Sequence, residues 1–314
     1  MTKKKSFSKT KNRIWAGYNL FAGWLARQPM AVRKVGYGVF GAILWLAYIL
    51  PGNMVRPTFV ALAQQTGVTN TRRLFSDFVR GFCRGMNRIE QVRHGRTDAV
   101  DAMLRLPDED RLKEVLAQGG AIIAIPHTHA SLAMGRGLGR RYPILALVRT
   151  TGGDDKRAAS ETEIYDNLGC EYLDIRIEKP AFVARKVLTA LNNGRLVVGT
   201  VDRITHAPNE PVDAARDLVR VAAFGQPIGI TGWPARFGNK AGVPIIPSTI
   251  TQTKDTISLH LGNSIIADAD VPGTTQRWTD ELIRMVTTHP DEWTFALDKF
   301  WSKAMRASKK RTHT

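Results

Sequence analysis

Short apolar runs alternate with helix-patterned stretches through most of this chain, and that alternation restricts the fold more than any other feature. "DEDRLKEVLAQGG" puts acidic residues in a first helical turn and ends on Gly-Gly, a helix with its stop. "AIIAI" follows at 121–125 as a strand, then a helix from about Ala130, then a strand at 143–148 in "YPILALVR". "ETEIYDNLG" reads as a helix, "EYLDI" as a short strand, and "PAFVARKVLTALNNG" as a helix leading into a strand at 195–201. "GITGWPARFGNKAG" is helix-like, "VPIIPSTITQ" is a strand, and "TISLHLGNSI" alternates as a half-exposed strand would. Residues 56–93 read as helices, and closing helices break at Pro290. Strands this short and apolar, separated by helices, predict an α/β fold: a mainly parallel sheet covered by flanking helices.

Ligands of such sheets bind beyond the carboxyl ends of the strands. The strand at 121–125 runs out into His127 and His129, the strand at 143–148 into Arg149, and the strand at 195–201 into Asp202 and Arg203. A base candidate, cations and a carboxylate are therefore predicted at one sheet edge. Histidine is the usual general base near neutral pH, and it works best when a carboxylate fixes its tautomer. Asp202 meets that need if its strand neighbours that of His127. Either histidine can instead be a structural group bonded to a loop carbonyl, and Arg149 with Asp202 a buried ion pair. Two histidines two residues apart do not make a zinc site, and no metal is expected. Neither a G-x-S-x-G elbow nor a phosphate-cradling glycine loop is present.

Charge separates the front of the chain from the rest. The net charge is +17, and no acidic residue precedes Asp77. Between Lys34 and Arg56 lies an uncharged segment broken by Pro51-Gly52. This predicts an apolar helix over Tyr37 to Leu50, too short to span a ~30 Å hydrocarbon core. Upstream, Ile14, Tyr18, Phe21, Ala22 and Leu25 recur at helical spacing beside Trp15 and Trp24. Aromatics among basic residues predict monotopic attachment to an anionic membrane, the alternative being a helix packed on the main domain. A nucleic-acid partner is not expected, because the apolar content is too high for a solvated basic arm. The two cysteines, Cys83 and Cys170, have no metal or disulfide spacing, which suits a reduced compartment. No cleavable signal peptide is expected.

"PHTHASLAMGRGLGRRYPILALVRTT", "LNNGRLVVGTVDR" and "VAAFGQPIGITGWPARFGNKAGVPIIP" resemble the lysophospholipid acyltransferase superfamily, nearest its late acyltransferases of lipid A biosynthesis. The most specific part is Phe224-Gly225-x-Pro227, Gly232-x-Pro234-Ala235-Arg236, Gly242-x-Pro244 and Pro247. The resemblance implies a glycerolipid acyltransferase-like fold over 56–302, preceded by a membrane-associated segment at 1–55 and followed by a basic tail at 303–314. It implies transfer of a fatty acyl chain from an acyl carrier protein or coenzyme A thioester to a lipid hydroxyl, with no other cofactor. The expected location is the cytoplasmic face of the inner membrane, on anionic lipid. His127 takes the family base's place by its distance from Gly135, with His129 as the alternative, and Arg149, Arg203 and Arg236 become candidate substrate-binding residues. The family motif has an acid five residues after its histidine. Here those positions are Leu132 after His127 and Met134 after His129. Asp202 can replace the acid, His127 can act unaided, or the chain is an inactive lipid-binding relative.

Overall fold

A computed structural model describes residues 17, 20–150, 155–204 and 218–308. The helices are α1 (Met30–Ile49), α2 (Val55–Thr66), α3 (Thr71–Arg93), α4 (Asp98–Asp101), α5 (Glu109–Ala117) and α6 (Ser131–Arg141). They continue with α7 (Asp155–Asp166), α8 (Pro180–Asn192), α9 (Trp233–Ala241), α10 (Val271–Thr288) and α11 (Lys299–Ser308). The strands are β1 (Leu104–Arg105), β2 (Ala121–Ile125), β3 (Ile144–Val148), β4 (Glu171–Asp174), β5 (Leu196–Thr200), β6 (Leu218–Ala223), β7 (Gln226–Thr231), β8 (Pro244–Gln252), β9 (Ile257–Leu261) and β10 (Ile265–Ile266).

One sheet of eight strands runs β1-β9-β8-β2-β5-β3-β4, with β10 also paired to β8. From β8 across to β4 every neighbour is parallel, while β9 and β10 run antiparallel to β8. This is the mainly parallel, helix-covered sheet that the alternation predicts. All five residues of β2 are buried, since helices cover both faces. Its alternate residues serve two cores: Ile122 and Ala124 join the cluster around Phe59, Phe78 and Trp278, and Ile123 and Ile125 join that around Leu112, Met134 and Leu138.

Three features depart from the sequence reading. The apolar helix α1 begins at Met30, not Tyr37, and at 20 residues it is long and apolar enough to cross a membrane. Arg33 and Lys34 lie inside its first turns rather than flanking it, and the Arg33 guanidinium reaches Asn87 Oδ1 at 3.1 Å. One side of α1 packs on α3 through Tyr37, Gly41 and Tyr48, with Cys83 Sγ donating to the Tyr37 carbonyl at 3.2 Å. Second, α11 continues past residue 302, burying Ala304 and Met305. Third, β6 and β7 form a hairpin of their own outside the main sheet. Its turn holds Phe224 at φ 51° and Gly225 at φ 67°, the left-handed pair that a tight hairpin turn requires. The aromatic stripe upstream of Lys34 is described only in part: residues 20–26 are helical, while Ile14, Trp15 and Tyr18 lie outside the described residues.

Candidate active site

The register of β2 and β5 brings the two key side chains together. Ile125 pairs with Thr200, and the Val201 amide donates to the Ile125 carbonyl at 3.0 Å. His127 and Asp202 each stand two residues beyond that last pair. The His127 Nδ1 lies 2.5 Å from Asp202 Oδ1, and the His127 backbone amide donates to Oδ2 at 3.0 Å. A carboxylate accepts, so in this contact Nδ1 is the donor, and a neutral imidazole then keeps its lone pair on Nε2. Nε2 has no hydrogen-bond partner among the described residues, and the His127 side chain is 27% exposed. The imidazole stacks on Phe295 at 3.7 Å and 5° between planes, which fixes its plane.

Asp202 is 1% exposed, and no Lys or Arg among the described residues pairs with it. Its charge is met by N–H donors. Trp293 Nε1 donates to Oδ2 at 2.8 Å, and Trp301 Nε1 donates to the Asp202 backbone carbonyl at 2.6 Å. Hydrogen bonds to a charged group are worth about 1.5–3 kcal/mol each, so the donors on Oδ1 and Oδ2, which do not include Trp301, decide whether a buried carboxylate is tolerable. The segment carrying Trp293 is laced to the histidine loop: Thr128 bridges Trp293, and the Thr294 amide and hydroxyl donate to the His127 carbonyl at 2.9 and 2.7 Å.

His129 occupies a different environment. It is 3% exposed, its Nε2 donates to the Asp291 carbonyl at 3.0 Å, and the rings of Phe78 and Phe82 close over it. Burial pushes its pKa down to about 4, and its Nδ1 is buried without a partner. This is the loop-carbonyl arrangement that the sequence leaves open for either histidine.

Arg149 and Arg203 are exposed at the ends of β3 and β5, and the Arg203 guanidinium lies 5.3 Å from the centre of the Phe295 ring. Burial, then the nearby Arg203 and Arg176 charges, holds the Arg149 pKa below its ordinary value. Arg149 makes no ion pair with Asp202 among the described residues; the carboxylate near it is Asp174, which binds the Thr150 hydroxyl at 2.6 Å. Arg236 stands one turn into α9, whose Trp233 packs over Gly199 near the end of β5. Among the described residues no hydrogen bond or ion pair joins Arg236 to His127 or Asp202. Of the loop amides, those of Thr128, His129 and Ser131 already donate, to Ser131 Oγ, the Glu292 carbonyl and the Thr128 carbonyl. The Ala130 amide has no acceptor among the described residues.

Sequence reasoning misses Trp293, Trp301, Phe295 and Arg176. The two tryptophans had a signal, "WTFALDKFW": a buried indole is a donor that must find an acceptor. Nothing in the spacing says that the acceptor is Asp202. Two cavities of about 280 and 290 Å³ lie elsewhere, one beside His260 and His289 and the other beside Arg56 and Arg306. Neither is lined by His127 or Asp202. Among the described residues no cluster of His, Cys, Asp and Glu is arranged to hold a metal ion.

Compared with known proteins, residues 69–302 match the family described as bacterial lipid A biosynthesis acyltransferase. No curated protein matches the chain.

Proposed function

The chain belongs to the bacterial lipid A biosynthesis acyltransferase family, and from that premise we propose that it moves a fatty acyl chain from a thioester to a hydroxyl of a lipid or glycolipid acceptor, with His127 as general base. The observation that carries this reading is the His127–Asp202 contact. The family acid is missing five residues after His127, and a carboxylate from the neighbouring strand stands on Nδ1 instead.

The chemistry follows from that pair. His127 Nε2 takes the proton of the acceptor hydroxyl as its oxygen attacks the thioester carbonyl. A C–O bond forms, the carbonyl oxygen becomes an oxyanion, and the imidazolium that results is supported by Asp202. Collapse breaks the C–S bond, and the departing thiolate takes the proton back from Nε2. Arg149, exposed at the end of β3, is the group we assign to the oxyanion. Arg149, Arg203 and Arg236 give the mouth a positive field suited to an anionic lipid and to an acidic acyl carrier protein or coenzyme A. His129, buried and bonded to the Asp291 carbonyl, holds the loop in shape. We place the protein at the cytoplasmic face of the inner membrane, with the outer side of α1 in the lipid.

The test is mass spectrometry of a lipid extract incubated with the purified protein and either thioester donor. One acyl chain gained with the unmodified protein, and none with His127→Ala, is expected. An unaltered gain with His127→Ala would move the base elsewhere. No gain with either donor would leave a lipid-binding relative without catalysis.

A further inference from the structure

We infer that Trp293 is a positioning residue of the acyl-transfer site, its indole N–H holding the Asp202 carboxylate in the one orientation that keeps His127 Nε2 free as the base. This inference rests on the reading of His127 and Asp202 given above. Asp202 is buried with no Lys or Arg paired to it among the described residues, and the donors seen on its two oxygens are N–H groups: His127 Nδ1 on Oδ1, and the His127 amide and Trp293 Nε1 on Oδ2. The donor at Oδ2 matters because a carboxylate rotates about its Cβ–Cγ bond. With the Oδ2 side pinned at 2.8 Å, Oδ1 stays directed at the imidazole, and the tautomer with a proton on Nδ1 is selected.

The surroundings of Trp293 are built to keep its indole in place. It is 1% exposed, and it meets Trp301 edge to face at 5.1 Å and 74°. Phe224, the hairpin-turn residue with positive φ, packs on both indoles at 6.1 and 5.9 Å. The backbone of Trp293 is bridged to Thr128, one residue from His127. A non-glycine residue in the left-handed region persists only where its surroundings demand it. Here the two-residue β6–β7 turn sets that conformation, and the same position puts the Phe224 ring against the two indoles. With Leu132 and not a carboxylate five residues after His127, the acid on the imidazole comes from outside the histidine loop and α6, and Trp293 holds it there.

Trp301 provides an internal control, because it donates to the Asp202 backbone carbonyl and not to the carboxylate. The experiment measures acyl transfer by Trp293→Phe, Trp301→Phe, Asp202→Asn and the double variant Trp293→Phe/Asp202→Asn. Trp293→Phe is expected to lower kcat on the order of 10-fold while KM for the thioester stays within about 2-fold, and Trp301→Phe to lower kcat less. In the Asp202→Asn background, Trp293→Phe is expected to add nearly nothing, since the group it acts through is gone. Equal fold losses from Trp293→Phe in both backgrounds would overturn the inference and leave Trp293 a packing residue. Should Trp293→Phe not fold, 3-benzothienylalanine at position 293 keeps the shape of the indole and lacks only the N–H donor, and the same cycle applies. Failure of the underlying reading looks different: Asp202→Asn would then leave transfer unchanged, whatever Trp293→Phe does.

Discussion

Glu292 is buried one residue before Trp293, and burial pushes its carboxyl up to about 7. Its stabilising contribution is therefore fully present below about pH 4.5 and is lost as the pH rises through about 7. His129, whose amide donates to the Glu292 carbonyl, is displaced the other way, to about 4. Its contribution is present above about 6.5 and is lost as the pH falls toward 4. Between about pH 4.5 and 6.5 the two run in opposite directions, each by at most about 1.4 kcal/mol per pH unit. Urea midpoints of the unmodified protein and two variants, taken across that window, separate them. Relative to the unmodified protein, Glu292→Gln should gain stability as the pH rises, and His129→Gln should lose it. Parallel curves for all three would show that neither group is shifted. At this scale the meeting of His127 and Asp202 was legible, because strand ends are where a parallel sheet brings its polar side chains together. The indoles were not, because a tryptophan's acceptor is chosen by tertiary packing that no local spacing encodes.

The helix that covers the histidine loop is α3, and two glycines set how closely it approaches. A Cβ at Gly85 would lie 2.3 Å from the His129 backbone carbonyl oxygen, and one at Gly81 would lie 2.7 Å from His129 Cδ2. In an open helix, glycine to alanine stabilises by up to about 1 kcal/mol. Here Gly85→Ala forces the helix and the 127–130 loop apart, an overpacking cost of roughly 1–3 kcal/mol. The expected outcome is a lower urea midpoint and a loss of acyl transfer larger than at Gly38→Ala, a glycine of α1 with nothing near its missing Cβ. Equal transfer in both variants would mean that the spacing does not govern the site. Among the elements, the βα alternation is readable because strands buried on both faces are uniformly apolar. The β6–β7 hairpin escapes it: Pro227 interrupts the strand pattern, and Phe224 occupies a turn position that normally goes to Gly or Asn. The start of α1 is missed because Arg33 and Lys34 look like flanks, yet a long cation in a first turn costs a helix little.

Over the whole molecule, one surface stands apart. Val32, Val35, Val39, Ile43, Leu46 and Leu50 recur every three or four residues along α1 and all are exposed, with Trp24, Phe21 and Met54 beside them. An exposed apolar stripe on a chain of net charge +17 suits an anionic bilayer. Ile43→Asp with Leu46→Asp should weaken flotation with anionic vesicles at least 10-fold while leaving the urea midpoint unchanged. Full flotation of that variant would place the attachment elsewhere. The central claim is that a carboxylate from the neighbouring strand does the work of the absent family acid. Its most direct test is the single-turnover rate of acyl transfer from a labelled thioester into lipid, measured for the unmodified protein, His127→Ala and Asp202→Asn. His127→Ala should fall by ~10²–10⁴ and Asp202→Asn by at least ~10-fold, each with thioester binding retained. An Asp202→Asn rate equal to that of the unmodified protein would contradict the account.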